Sequence, residues 1–166
     1  MKHTGLSPNQ LAFLALANEY CVALEHASET DPDEFTDAML RLLPRLYISA
    51  TDLSNESYVE EYIPSALEED YYDSVMRSVA MLYGENDTYL EVFEEDMKYS
   101  DTPIAATVSE SLADIFQVLF NLVEAVKDAP GELVDQYLCA VRDDFGTYWG
   151  QTLCNVLRAI NAIKYN

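Results

Sequence analysis

The sequence predicts an all-α protein: a single compact bundle of five to six helices spanning residues 1–166, mostly up-down antiparallel neighbours, ending in a long C-terminal helix. Three observations carry this prediction. Apolar residues make up 49% of the 166, enough for a core that hides roughly 70% of the surface an unfolded chain exposes. They recur at three- and four-residue spacing, the period of one helix face. No stretch alternates with period two between hairpin turns, and only five glycines and six prolines punctuate the chain.

The starts and stops of the elements are legible in order. Ser7-Pro8-Asn9-Gln10 opens the first helix, with Ser as N-cap, Pro at the first helical position and Gln placed to close a capping box. That helix runs to about Ala27. The apolar run Leu11–Ala17 lies inside it, and the pattern continues through Tyr20, Cys21 and Leu24, so the run reads as helix rather than as the apolar part of a signal peptide. Asp31-Pro32-Asp33-Glu34 repeats the start logic. The second helix places Phe35, Met39, Leu42, Leu43, Leu46 and Tyr47 on one side, with a kink expected at Pro44.

Tyr58 to Ile63 predicts one short helical turn, closed by Pro64. Ser65 or a near neighbour then caps a helix holding Val75, Met76, Val79, Met81, Leu82 and Tyr83, and Gly84 ends it in left-handed backbone. Thr88 to Phe93 predicts a short helix followed by a loop. Thr102-Pro103 opens a long helix to about Lys127, with Val108, Leu112, Ile115, Phe116, Leu119, Val123 and Val126 on one wide face. Asp128-Ala129-Pro130-Gly131 breaks it, and the last helix runs from about Glu132 to Ile163.

That last helix contains Asp144-Phe145-Gly146, the tripeptide that ligates magnesium in protein kinases. Here the apolar stripe of Val134, Leu138, Val141, Trp149, Thr152, Val156, Ile160 and Ile163 stays within about 60° of Phe145. The tripeptide therefore sits within a helix, and the Gly-rich and catalytic-loop signatures of kinases are missing from the sequence. Gly146 and Gly150 flank the single tryptophan, Trp149. Each mid-helix glycine costs about 1 kcal/mol relative to alanine, so the pair predicts a close approach by another backbone, or else one wall of a ligand groove. Arg142, at the edge of the stripe, predicts a salt bridge to Glu132 or Asp135.

Four segments, EEDYYDSV, LYGENDTYLEVF, YSDTPIAATVSESLADI and YWGQTLCNVLRAI, together resemble the bacterial family called domain of unknown function 5063. The resemblance covers most of the chain and is strongest in its C-terminal half; the ending NAIKYN departs from it. It implies a compact helical bundle, bacterial and cytosolic, with no established activity and no catalytic residues to carry over.

Charge narrows the function classes. Thirty acidic against nine basic residues leave a net charge of −21. Such a chain repels nucleic acid and anionic membrane, and no run approaches the ~18 apolar residues of a membrane-spanning helix. Cys21, Cys139 and Cys154 form no CxxC pair and fit small buried hydrophobes in a reducing, cytoplasmic setting. No Glu-x-x-His pair accompanies His3 or His26, so a dimetal carboxylate site is unsupported, and His26 reads as a helix-end residue. No nucleophile has a histidine at motif spacing. The residues therefore name no catalytic group, metal ligand or cofactor, and lean away from an enzyme.

Two acidic features remain. Between Glu56 and Asp101 lie fourteen acids and seven tyrosines. Tyrosine offers contact area with a polar tip, and acid steers a basic partner. The favoured expectation is a non-enzymatic interaction or adaptor module that docks a basic protein surface on Tyr58, Glu61, Tyr62, Glu69, Tyr72, Asp73 and Tyr89. Separately, Glu110, Asp114, Gln117, Asn121 and Glu124 form a polar stripe opposite the apolar face of their helix, expected to be solvated. If it lines a crevice instead, Glu110 and Asp114 can share a cation. The alternative is thus a carboxylate-lined protein or enzyme that binds a small molecule or divalent metal, with acids converging in a concave pocket at raised pKa. A nucleic-acid mimic, with acids in a regular double row, is the third class. Monomer and homodimer are left open.

Overall fold

In the computed structural model, which describes residues 5–56, 62–91 and 105–166, helices α1 (Pro8–Glu25) and α2 (Pro32–Thr51) form the first hairpin. Both start as their sequences dictate. The Ser7 hydroxyl accepts from the Gln10 N–H at 3.1 Å while the Gln10 side chain accepts from the Ser7 N–H at 2.8 Å. The Asp31 carboxylate accepts from the Asp33 N–H. Asn9 at the start of α1 meets Ser49 near the end of α2 through two side-chain hydrogen bonds, which makes the pair antiparallel. A single 3-10 turn, Ala27–Glu29, joins them. Pro44 leaves α2 unbroken as far as Thr51.

Helix α3 (Glu69–Tyr83) follows, and Gly84 ends it at φ +53°. Its cap is Glu68, not Ser65, and no side chain bonds there; the acids Glu69 and Asp70 face the positive end of the helix dipole instead. Of the short turn expected over Tyr58–Ile63, residues 58–61 lie outside the described residues, and Tyr62 and Ile63 are not helical.

Of the helix expected over Thr88 to Phe93, Thr88–Leu90 is a strand, and residues 92 and 93 lie outside the described residues. A 3-10 turn, Gly84–Asp87, leads into β1 (Thr88–Leu90), which pairs antiparallel with β2 (Ala105–Thr107), Tyr89 opposite Ala106. Three residues per strand are too few for a visible alternation, and the pairing is non-local, so helical spacing misread it. Helix α4 consequently begins at Val108, five residues later than Pro103, with the Thr107 hydroxyl accepting from the Glu110 N–H. The buried Asp87 carboxylate takes both the N–H and the hydroxyl of Ser109, tying this small sheet to the start of α4.

Helix α4 (Val108–Val126) is the central post, packed by α1, α3, α5 (Gly131–Asp144) and α6 (Gly150–Tyr165). Lys164 pairs with Asp37, and the Tyr47 ring meets the Phe145 ring at 5.0 Å, so α6 lies antiparallel to α2. One contiguous core gathers Phe13, Phe35, Leu112, Phe116 and Trp149. Tyr20 is fully buried there, its hydroxyl donating to the Leu112 carbonyl at 2.7 Å.

The long C-terminal helix is real, but its phase is not uniform. Residues Phe145–Trp149 form a π turn between α5 and α6. A π turn takes up one extra residue without advancing the face, so Leu153 rather than Thr152 is buried below it. Among the cysteines, Cys21 and Cys139 are buried as expected, but Cys154 is exposed for the same reason.

Candidate functional site

Four residues of α4, Asp114, Gln117, Val118 and Asn121, line a cleft of about 450 Å³. Their spacing of three, four and seven puts them on one helix face. The opposite wall is the end of α5 and the π turn: Ala140, Val141, Asp143, Asp144 and Tyr148. Tyr62 and Ile63 complete the rim. The polar stripe of α4, expected to be solvated, is in large part a cleft wall. Its apolar face already packs the core, and α3 and α5 flank its other sides, so much of the polar side is covered.

Asn121 and Asp114 each tie α4 to another segment. Asn121 accepts from the N–H groups of Ala66 and Leu67, both at 2.9 Å, and so holds the segment that enters α3. Asp114 accepts from the Tyr72 hydroxyl at 2.6 Å, which ties α3 to α4, and Tyr148 of the π turn shares the cleft with it. Burial and the Asp114 charge push the Tyr148 phenol up to about 12; burial and Asp114 also raise Tyr72. Both hydroxyls are therefore donors across the physiological range. Glu110 is exposed at the first turn of α4 and Glu124 pairs with Lys127, so neither joins Asp114 in the cleft.

The second acidic group is the adjacent pair Asp143 and Asp144. Asp143 lies 3.4 Å from the Asn55 amide. Partial burial, with the Asp143 charge beside it, raises the Asp144 carboxyl above its ordinary value. No group of three or more His, Cys, Asp or Glu side chains is gathered closely enough to hold a metal ion among the described residues.

The predicted groove residues separate. Gly150 is buried, and a Cβ there would stand 2.5 Å from the Phe145 carbonyl oxygen. The close approach comes from the same helix, not from a neighbouring one. Gly146 is exposed, and its Cβ would meet only Arg142 at 3.6 Å, so it marks no crossing. Trp149 is fully buried, its indole N–H donating to the Val141 carbonyl at 3.0 Å. The salt bridge expected for Arg142 does not form with Glu132 or Asp135: Asp135 accepts from Gln10 at 2.7 Å. The Arg142 guanidinium lies over the Phe145 ring, 5.7 Å from its centroid, with Nε buried and unpaired.

Of the predicted interaction face, Tyr58 and Glu61 lie outside the described residues. Tyr62 is 79% exposed. Glu69, Tyr72 and Asp73 surround a smaller hollow that shares Gln117 with the main cleft. Tyr89 turns inward, its hydroxyl 2.9 Å from Ser111 Oγ. His26 sits at the end of α1, Nδ1 2.9 Å from the Val22 carbonyl, a helix-end role. What sequence reasoning missed was that Asp143, Asp144 and Tyr148 share a cleft with Asp114; they lie about thirty residues further along the chain, and no spacing rule links them.

The family model described as domain of unknown function (DUF5063) matches residues 4–166. The chain belongs to the DUF5063 family. A solved structure of protein BF1032 from Bacteroides fragilis has the same fold as this DUF5063 chain, with a TM-score of 0.82 and 27% identity over 96% of this chain and 94% of that one. No curated protein matches. No helix among the described residues is long and apolar enough to cross a membrane.

Proposed function

We propose that this DUF5063 protein binds a small organic cation, an amine or a guanidine, in the cleft between α4 and the α5–π-turn wall. The observation that carries the reading is the convergence of three carboxylates, Asp114, Asp143 and Asp144, with two tyrosines, Tyr62 and Tyr148, in one concave space. Carboxylates attract the charge, and aromatic faces favour cations that are weakly hydrated. The acids are spread along two walls rather than gathered round a point, which suits an extended organic cation better than a compact metal ion. The raised Asp144 carboxyl is the behaviour of an acid held for an incoming positive group.

The test is calorimetric titration with agmatine, which carries a guanidinium at one end and an ammonium at the other. The expected result is saturable binding that Asp114→Asn and Asp144→Asn each weaken about tenfold, the effect of losing one charge-assisted hydrogen bond. Glu29→Gln, a remote exposed acid, leaves it unchanged. No saturation by agmatine, or equal loss in the remote variant, overturns the reading.

A second reading rests on the continuity of the cleft with the hollow edged by Glu69, Tyr72 and Asp73, through the shared Gln117. In this reading the cation is a lysine or arginine of a partner protein docked on the acidic, tyrosine-rich face. It predicts partners retained from lysate at about 0.05 M salt and released at about 0.5 M, as screening shortens the reach of the charges.

A further inference from the structure

The π turn is held by two devices, one at Gly150 and one at Trp149. The Gly150 N–H donates to the Phe145 carbonyl five residues back, the bond that defines the turn. Gly150 lacks the Cβ that would stand 2.5 Å from that oxygen and 3.1 Å from the Phe145 ring. Any side chain at 150 therefore collides with the acceptor of its own hydrogen bond. The Trp149 indole reaches back eight residues to the Val141 carbonyl, stapling the turn to α5 from the core side. Its ring is clamped by Phe13 and Phe145, with centroids at 6.2 and 4.7 Å. Gly146, also in the turn, has no comparable contact.

What the turn positions is the wall of the cleft. Val141, Asp144 and Tyr148 all line it, and Tyr148, one residue before Trp149, shares the cleft with Asp114 of α4. In a regular α-helix an extra residue rotates everything beyond it by about 100°. A π turn absorbs that residue locally, so α5 and α6 both keep their buried stripes while the turn itself bears the reorientation.

Building on the cleft reading, we infer that Gly150 and Trp149 are positioning residues for the binding site: together they lock the π turn that aims Tyr148 at Asp114 and sets Asp144 on the cleft wall. Neither touches the ligand. They act through Tyr148 and Asp144, which the turn places on the same cleft as Asp114.

Replacing Tyr148 by 3-fluorotyrosine provides a readout independent of any ligand. Its phenol titrates at lower pH than tyrosine, and fluorine NMR follows it in the intact protein. In the wild-type background burial and the charges of Asp114, Asp144 and Glu110 hold it above the free amino acid. Gly150→Ala is expected to return it toward the free value, and to weaken agmatine binding about tenfold. Trp149→Phe, which keeps an aromatic ring while removing the indole donor and some buried volume, tests the same point if the alanine variant does not fold. Gly146→Ala is expected to change neither quantity. An unchanged 3-fluorotyrosine titration in a folded Gly150→Ala or Trp149→Phe variant overturns the assignment. A shifted titration in a protein that does not bind agmatine overturns the cation reading and upholds the positioning role.

Discussion

Asp144 shows how a single residue sets site chemistry against stability. Its carboxyl is raised by partial burial and by the charge of Asp143 beside it. A carboxylate whose folded pKa lies above its unfolded value binds protons more readily in the folded state. It therefore costs stability once ionised; the cost is complete above the folded pKa, fades between the folded and unfolded values and is gone below the unfolded one. Asp144→Asn removes the repulsion at neutral pH, so it is expected to raise the unfolding midpoint in urea at pH 7 while weakening cation binding. Because Asp144 is also exposed, solvent screening limits the gain to less than about 1 kcal/mol. Below the unfolded pKa the two proteins are expected to be equally stable. A destabilised Asp144→Asn would mean that the carboxylate makes a favourable contact of its own. Single residues were readable from sequence where their partner is local, as with Ser7 and Gln10 or Asp31 and Asp33. Asp114 was readable as a polar position only, since the Tyr72 hydroxyl that bonds it comes from another element.

Among the elements, the turn of 3-10 helix before β1 matters more than its length suggests. Asp87 is buried, and its two oxygens take the N–H and the hydroxyl of Ser109 at 2.8 and 2.6 Å. It therefore supplies α4 with an acceptor and a negative charge at its positive end, besides the Thr107 cap. Asp87→Ala leaves the Ser109 donors without that partner, and a loss of about 2–3 kcal/mol is expected in chemical unfolding. Asp87→Asn, which keeps one acceptor, is expected to lose less. The helix limits set by caps and breakers, Pro8, Pro32 and Gly84, stand where the sequence placed them. The errors fall on β1, on the start of α4 and on the π turn. Each of these depends on contacts made at a distance along the chain, which propensity does not contain.

At the scale of the whole molecule, 30 acids and nine bases share one small bundle. Ion pairs such as Asp37 with Lys164 and Glu124 with Lys127 offset only a little of that repulsion. Screening should therefore help the fold as a whole: the thermal midpoint is expected to rise between about 0.02 and 0.3 M sodium chloride, over which the Debye length shortens several-fold. A midpoint that falls across that range would show that specific ion pairs outweigh the net repulsion. The same excess charge suits a cleft for cations, since the field of the surrounding acids adds to that of the three carboxylates in the wall.

The sequence by itself determined the helical class, the order and most limits of the helices and the sign of the charge. Those properties depend on local periodicity, on capping residues within four positions of their targets, and on composition. Only the tertiary structure decided that α4 turns its polar stripe to a cleft, that Tyr148 shares that cleft with Asp114, and that Gly150 serves a π turn rather than a helix crossing. The reason is physical: a side chain's partner in a bundle is chosen by how helices pack, and residues 114 and 148 become neighbours only once α4 and the α5–α6 rod share a core.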